Sequence, residues 1–122
     1  MKNSKWVDWD VLPYKYDYKE IDINVSKHLI KVGDRKDHMT NPLRKAIKRQ
    51  INGDVVILEK TIIFYSKKFN KNNLDILLGR WTVGAILIEP ELSDILRKWE
   101  SKGVFSTGDY KIKIPTKLLK QQ

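Results

Sequence analysis

A chain of 122 residues, 41% hydrophobic and 10% aromatic, with four Trp and five Tyr, can bury one sizeable core but rarely two, and wholesale disorder is excluded. Twenty-four Lys and Arg against 15 Asp and Glu leave a net charge of +9, and the lack of cysteine removes disulfides, thiolate catalysis, thiolate metal sites and zinc fingers. No apolar run approaches the roughly 20 residues of a membrane span, and Met1 to Trp6 lack the apolar stretch of a signal peptide, so a single cytoplasmic domain over 1–122 is expected.

The opening segment, through Trp6, Trp9, Tyr14, Tyr16 and Tyr18, alternates large apolar with charged residues. Pro13 would interrupt a central strand, so residues 1–20 are expected to form an extended aromatic arm or edge. Ile21, Ile23 and Val25 then alternate with Asp22 and Asn24, the period of a strand with one buried face. Ser26 can cap a short helical turn that Gly33 would stop, and 33–38 reads as a loop. Asn41 followed by Pro42 predicts a helix whose buried stripe is Leu43, Ala46, Ile47 and Ile51 and which Gly53 closes. Val55 to Leu58 and Thr61 to Tyr65, separated by Glu59 and Lys60, predict a β-hairpin. A polar loop covers 66–73, while 74–78 fits either a helical turn or a short strand. Residues 81–88 read as a buried strand in which Gly84 marks a bulge or a close backbone approach. Pro90 to Gly103 predicts a second good helix, with Leu92, Ile95, Leu96 and Trp99 at i, i+3, i+4 and i+7. Tyr110, Ile112 and Ile114 alternate with lysines in a closing strand that Pro115 ends. The order β, α, ββ, β, α, β with short connections implies an α+β two-layer sandwich: a mainly antiparallel sheet of four to five strands with two principal helices on one face.

Two stretches carry a resemblance. Val25-Ser26-Lys27-His28-Leu29-Ile30 followed by Asn41-Pro42-Leu43-Arg44-Lys45-Ala46-Ile47-Lys48-Arg49-Gln50, and Trp99-Glu100-Ser101-Lys102-Gly103 leading into Tyr110-Lys111-Ile112-Lys113-Ile114-Pro115, resemble a class of small uncharacterised bacteriophage proteins. The likeness covers about half of the chain, and Asn41 stands where that class often has Cys. It implies a viral origin, hence a host cytoplasm, and no particular activity.

The positive charge is clustered. Residues 1–20 sum to zero, whereas 27–53 carry eight positive against two negative charges, and 67–81 and 104–122 each carry four against one. On the helix from Asn41, residues Arg44, Lys45, Lys48 and Arg49 fall at i, i+1, i+4 and i+5, so helical periodicity predicts one continuous basic face. No acid between Asn41 and Asn52 relieves the like-charge repulsion, a local cost that a phosphate-binding face would show. Arg35, Lys36, Lys67, Lys68 and Lys71 would extend that face if they fold onto the same side. The ordinary alternative is a solvated charged surface. In the arm, Trp6, Trp9, Tyr14 and Tyr16 could anchor a partner, or could staple the terminus to the core.

Catalytic signals are thin. Asp34, Asp37 and His38 share one hydrophilic loop with no second cluster to complete a metal site. Asp54, Glu59 and Lys60 have the residue types of a nuclease centre, but neighbours in sequence point apart on a strand. His28 precedes an apolar pair and reads as structural or surface. No phosphate-cradling loop, serine elbow or His-Glu metal motif is present. The expectation is therefore a non-enzymatic protein without cofactor or metal. It would bind nucleic acid through the basic helix and lysine loop, or, alternatively, act as a phage-encoded inhibitor or adaptor on an acidic surface of a host protein.

Overall fold

The structure is a computed structural model that describes residues 17–70, 72 and 81–120. The partner-binding candidates Trp6, Trp9, Tyr14 and Tyr16, the candidate Lys71, and the open segment 74–78 lie outside the described residues.

The fold class is α+β, and it differs from expectation in how the strands are grouped. In chain order the elements are β1 (Tyr18–Val25), α1 (Lys27–Val32), a 3-10 turn (His38–Thr40), α2 (Pro42–Lys48), β2 (Asp54–Ile57), β3 (Thr61–Tyr65), β4 (Thr82–Leu87), α3 (Pro90–Lys102), β5 (Gly108–Pro115) and a second 3-10 turn (Thr116–Leu118). These five strands form two antiparallel sheets, β1-β5 and β2-β3-β4, where one sheet of four to five strands was expected. Three helices are present rather than two, because the Ser26-capped turn extends into α1.

Strand β1 pairs with β5 along its whole length, from Tyr18 opposite Pro115 to Val25 opposite Gly108. The alternation read from sequence sends Ile21 and Ile23 inward opposite Ile112 and Tyr110. Hairpin β2-β3 turns at Glu59 and Lys60 as predicted, with Leu58 N donating to Thr61 O at 2.8 Å, and β4 continues the meander with a register shift at Phe64 and Tyr65. One core joins both sheets and all three helices, built on Ile23, Leu43, Ile47, Val55, Ile62, Phe64, Trp99 and Ile114. Full burial of each such side chain is worth about 1.5 to 3 kcal/mol relative to exposure. A satellite cluster of Ile63, Tyr65 and Ala85 sits on the other face of the three-stranded sheet.

The helix ends are set by their capping residues. Asn41 Oδ1 accepts from Leu43 N at 2.9 Å and Arg44 N at 3.3 Å, and Pro42 follows at the first helical position. Helix α2 is shorter than predicted, ending at Lys48, because Ile51 leaves the helix to bridge Leu119 and enters the core from there. Gly103 adopts the left-handed cap expected of it, whereas Gly33 ends α1 with extended backbone. Gly53 has φ of +112°, and a Cβ there would overlap the Tyr65 carbonyl oxygen.

The two sheets are joined at one end by a side chain. Tyr18 Oη donates to Ala85 O at 3.2 Å and accepts from Ala85 N at 3.1 Å, standing in for a strand residue at the edge of β4. Gly84 makes this possible. A Cβ on it would lie 2.7 Å from Pro115 Cγ and 2.9 Å from Tyr18 Oη.

Candidate functional site

The four basic residues of α2 do not form one solvated face. Arg44 is only 8% exposed, and its guanidinium is spent inside the protein: Nη2 donates to Asp54 Oδ1 at 2.6 Å, Nε to Val55 O at 2.9 Å and Nη1 to Met39 O at 3.1 Å. Lys48 Nζ donates to Gly53 O at 2.6 Å and lies 3.5 Å from the same Asp54 oxygen. The expectation that both residues present charge to an external anion is therefore corrected. Positions i and i+4 do stack, but they stack toward β2, where a carboxylate waits for them.

Asp54, 1% exposed, is the hub of this arrangement. Its Oδ1 also accepts from Val55 N at 2.8 Å, and its Oδ2 accepts from Phe69 N at 2.8 Å, which ties the segment after β3 to the start of β2. Burial alone would raise the Asp54 carboxyl. The Phe69 and Val55 amides together with the Arg44 and Lys48 charges more than offset this, so the group lies below its ordinary value. Burial, with the Asp54 charge added, pushes the Tyr65 hydroxyl up. Asp54 is thus a structural anion whose carboxyl is held below its ordinary value, and Glu59 and Lys60 are at the hairpin turn, so the three do not make a nuclease centre.

Rotated by one residue on the same helix, Lys45 and Arg49 point outward. With His28, Leu29, Val32, Met39 and the flanks of Arg44 and Lys48 they line an open groove of about 310 Å³ between α1 and α2. Every charged residue of this lining is basic. Val32 and Met39, each 46% exposed, give it an apolar element as well. Neither feature follows from the sequence pattern, in which His28 reads as a structural or surface residue and Val32 and Met39 belong to no motif.

The other basic candidates do not share this groove. Arg35 Nη1 donates to the Glu100 and Ser101 carbonyls, capping the C-terminal end of α3. Lys36 is exposed in the loop, and Lys67 Nζ sits 3.8 Å from the centre of the Trp81 ring, a cation–π contact beside exposed Lys68. The Asp34 and Asp37 carboxylates organise their own loop, accepting from Lys36 N at 2.9 Å and Met39 N at 3.0 Å. Among the described residues no group of three His, Asp or Glu could hold a metal ion, and no helix is long and apolar enough to cross a membrane.

No protein family model, curated protein or solved structure matches this chain.

Proposed function

We propose that the protein is a non-enzymatic interaction module whose α1/α2 groove receives an acidic, partly apolar segment of another protein. The observation that carries this reading is the composition of the groove: basic residues alone supply its charge, and two exposed apolar side chains lie among them. A carboxylate-bearing segment with one or two apolar residues would satisfy both, the charges steering encounter and the apolar contact holding register. The bacteriophage resemblance supports a setting in which such a module acts on a host protein.

A second reading is retained because Lys67, Lys68, Lys36 and Arg49, part of the chain's net charge of +9, are exposed. In that reading the outward cations track a phosphate backbone. Two observations weigh against it: Arg44 and Lys48 are internally paired, and phosphates gain nothing from Val32 and Met39.

One experiment separates the two. Wild-type protein and a Lys45→Glu/Arg49→Glu variant are used as bait in nuclease-treated lysate, alongside titrations of duplex and single-stranded DNA at rising salt. A protein retained by wild type and lost by the variant is the expected result. Tight nucleic-acid binding that falls steeply with salt and is lost in the same variant would replace this reading with the second.

A further inference from the structure

Among the described residues five large apolar side chains are exposed: Val32, Met39, Leu58, Leu87 and Val104. Val32 and Met39 lie in the basic α1/α2 groove. Leu58 and Leu87 lie together elsewhere. Leu58 N bonds Thr61 O, which continues the β2-β3 register by one pair, and Thr61 stands opposite Leu87. Residues directly opposite one another share a face, so 58, 61 and 87 form one cross-strand row at the end of the three-stranded sheet.

The charge around this second apolar pair has the opposite sign. Glu59 occupies the β2-β3 turn beside Lys60, and Glu89 and Glu91 occupy the corner where β4 passes into α3; all three carboxylates are exposed. Two hydrogen bonds hold turn and corner together, with Ser93 Oγ donating to Glu59 O at 3.2 Å and Ile88 N to Lys60 O at 2.8 Å. The acidic character continues into an adjoining groove of about 640 Å³, where Glu20, Glu89, Glu91 and Asp109 outnumber Lys111 and Lys113, and those lysines already stand opposite Asp22 and Glu20 on β1. On a chain of net charge +9 this corner is a local reversal of sign.

Corner and basic groove lie at opposite ends of β2. Arg44 Nε donates to Val55 O and Lys48 Nζ to Gly53 O, which fixes α2 at the start of the strand, whereas Leu58 and Glu59 follow its end. Both belong to packed elements of one core, so a chain cannot close its own corner on its own groove.

We infer that a second copy of this chain occupies the α1/α2 groove, presenting Leu58 and Leu87 to Val32 and Met39, and Glu59, Glu89 and Glu91 to Lys45 and Arg49. The inference rests on the reading of that groove as a receptor for an acidic, partly apolar segment, and adds that the chain itself carries such a segment. Because corner and groove are different surfaces, the contact is heterologous: every bound pair leaves one corner and one groove unused, and association continues copy by copy. The contact is small and the net positive charge of each copy opposes it, so a dissociation constant of about 100 µM is expected.

Sedimentation equilibrium of the whole chain at physiological salt, from about 10 µM to about 1 mM, is expected to show an average mass that rises with concentration and passes that of a dimer. Lys45→Ala/Arg49→Ala removes the groove's charge and Leu87→Ser/Glu89→Gln/Glu91→Gln removes the corner; each is expected to weaken association at least tenfold. Mixed together, the first variant still offers a corner and the second a groove, so the mixture should form a one-to-one heterodimer and nothing larger. A wild-type chain that stays monomeric, a mass that levels off at a dimer, or a mixture that fails to associate would each overturn the inference. The reading of the groove is judged separately: a monomeric wild type that still captures a protein from nuclease-treated lysate through Lys45 and Arg49 would overturn self-association and leave that reading standing.

Discussion

Helix α2 carries two pairs of cations that differ by a single residue of rotation and do opposite things. Arg44 and Lys48 turn toward β2 and close on Asp54, while Lys45 and Arg49 turn to solvent and border an open groove. Charge type is the same in both. What separates them is what they meet: the inner pair closes on a buried carboxylate and backbone carbonyls, whereas half-buried Lys45 and exposed Arg49 border the groove. A basic cluster on a short helix is thus no measure of available surface charge until its carboxylates have been located.

The contrast is broken most directly at its inner half. Replacing Asp54 with Asn strands the Arg44 guanidinium in the interior, and a loss of about 3 to 5 kcal/mol of stability is expected from chemical denaturation. A loss below about 1 kcal/mol would mean that the pair is dispensable, and the division between inner and outer cations would collapse. The same carboxylate gives a pH signature. Its folded value is depressed, so its contribution is complete above the unfolded carboxylate value, about 3.9, and is lost as pH falls through the lower folded value. Wild-type stability should decline with acid in that range, and the Asp54→Asn variant should decline less.

An intermediate effect is expected at the joint between the sheets. Tyr18→Phe keeps the ring over Gly84 but removes both bonds to Ala85, at a cost of about 1 kcal/mol in the unfolding free energy. The smallest effect belongs to the outer cations. Lys45→Ala and Arg49→Ala should leave stability within about 0.5 kcal/mol of wild type while weakening partner capture, and a large stability loss there would show that these residues, too, are structural.

Much of the local structure was legible in the sequence, and the reasons are particular. Asn41 with Pro42 set the start of α2, Gly103 set the end of α3, and the alternation of Tyr110, Ile112 and Ile114 gave β5, because caps and side-chain period act over a few residues. The division into two sheets was not legible, since it depends on β1 finding β5 some 90 positions away, and no local signal encodes that pairing. The candidate site was half legible. Periodicity stacks Arg44 on Lys48, as found, but the single basic face it predicted is split, because it carries no information about Asp54, which enters from the next strand. A lone acid opening the apolar run Val55-Val56-Ile57-Leu58 was the available hint that a buried cation lay opposite. Val32 and Met39 could not have been singled out, because their exposure follows from how α1 and the turn after it pack on α2.

The pairing of β1 with β5 has a consequence for how the protein is made. During synthesis β1 leaves the ribosome first of the five strands, and its partner leaves last. Ile21, Ile23 and Val25 stay without their cross-strand neighbours until residue 115 has cleared the exit tunnel, so the meander of β2, β3 and β4 can assemble before the two-stranded sheet does. A ribosome stalled before Gly108 would display a sticky, incomplete nascent chain for chaperones to hold.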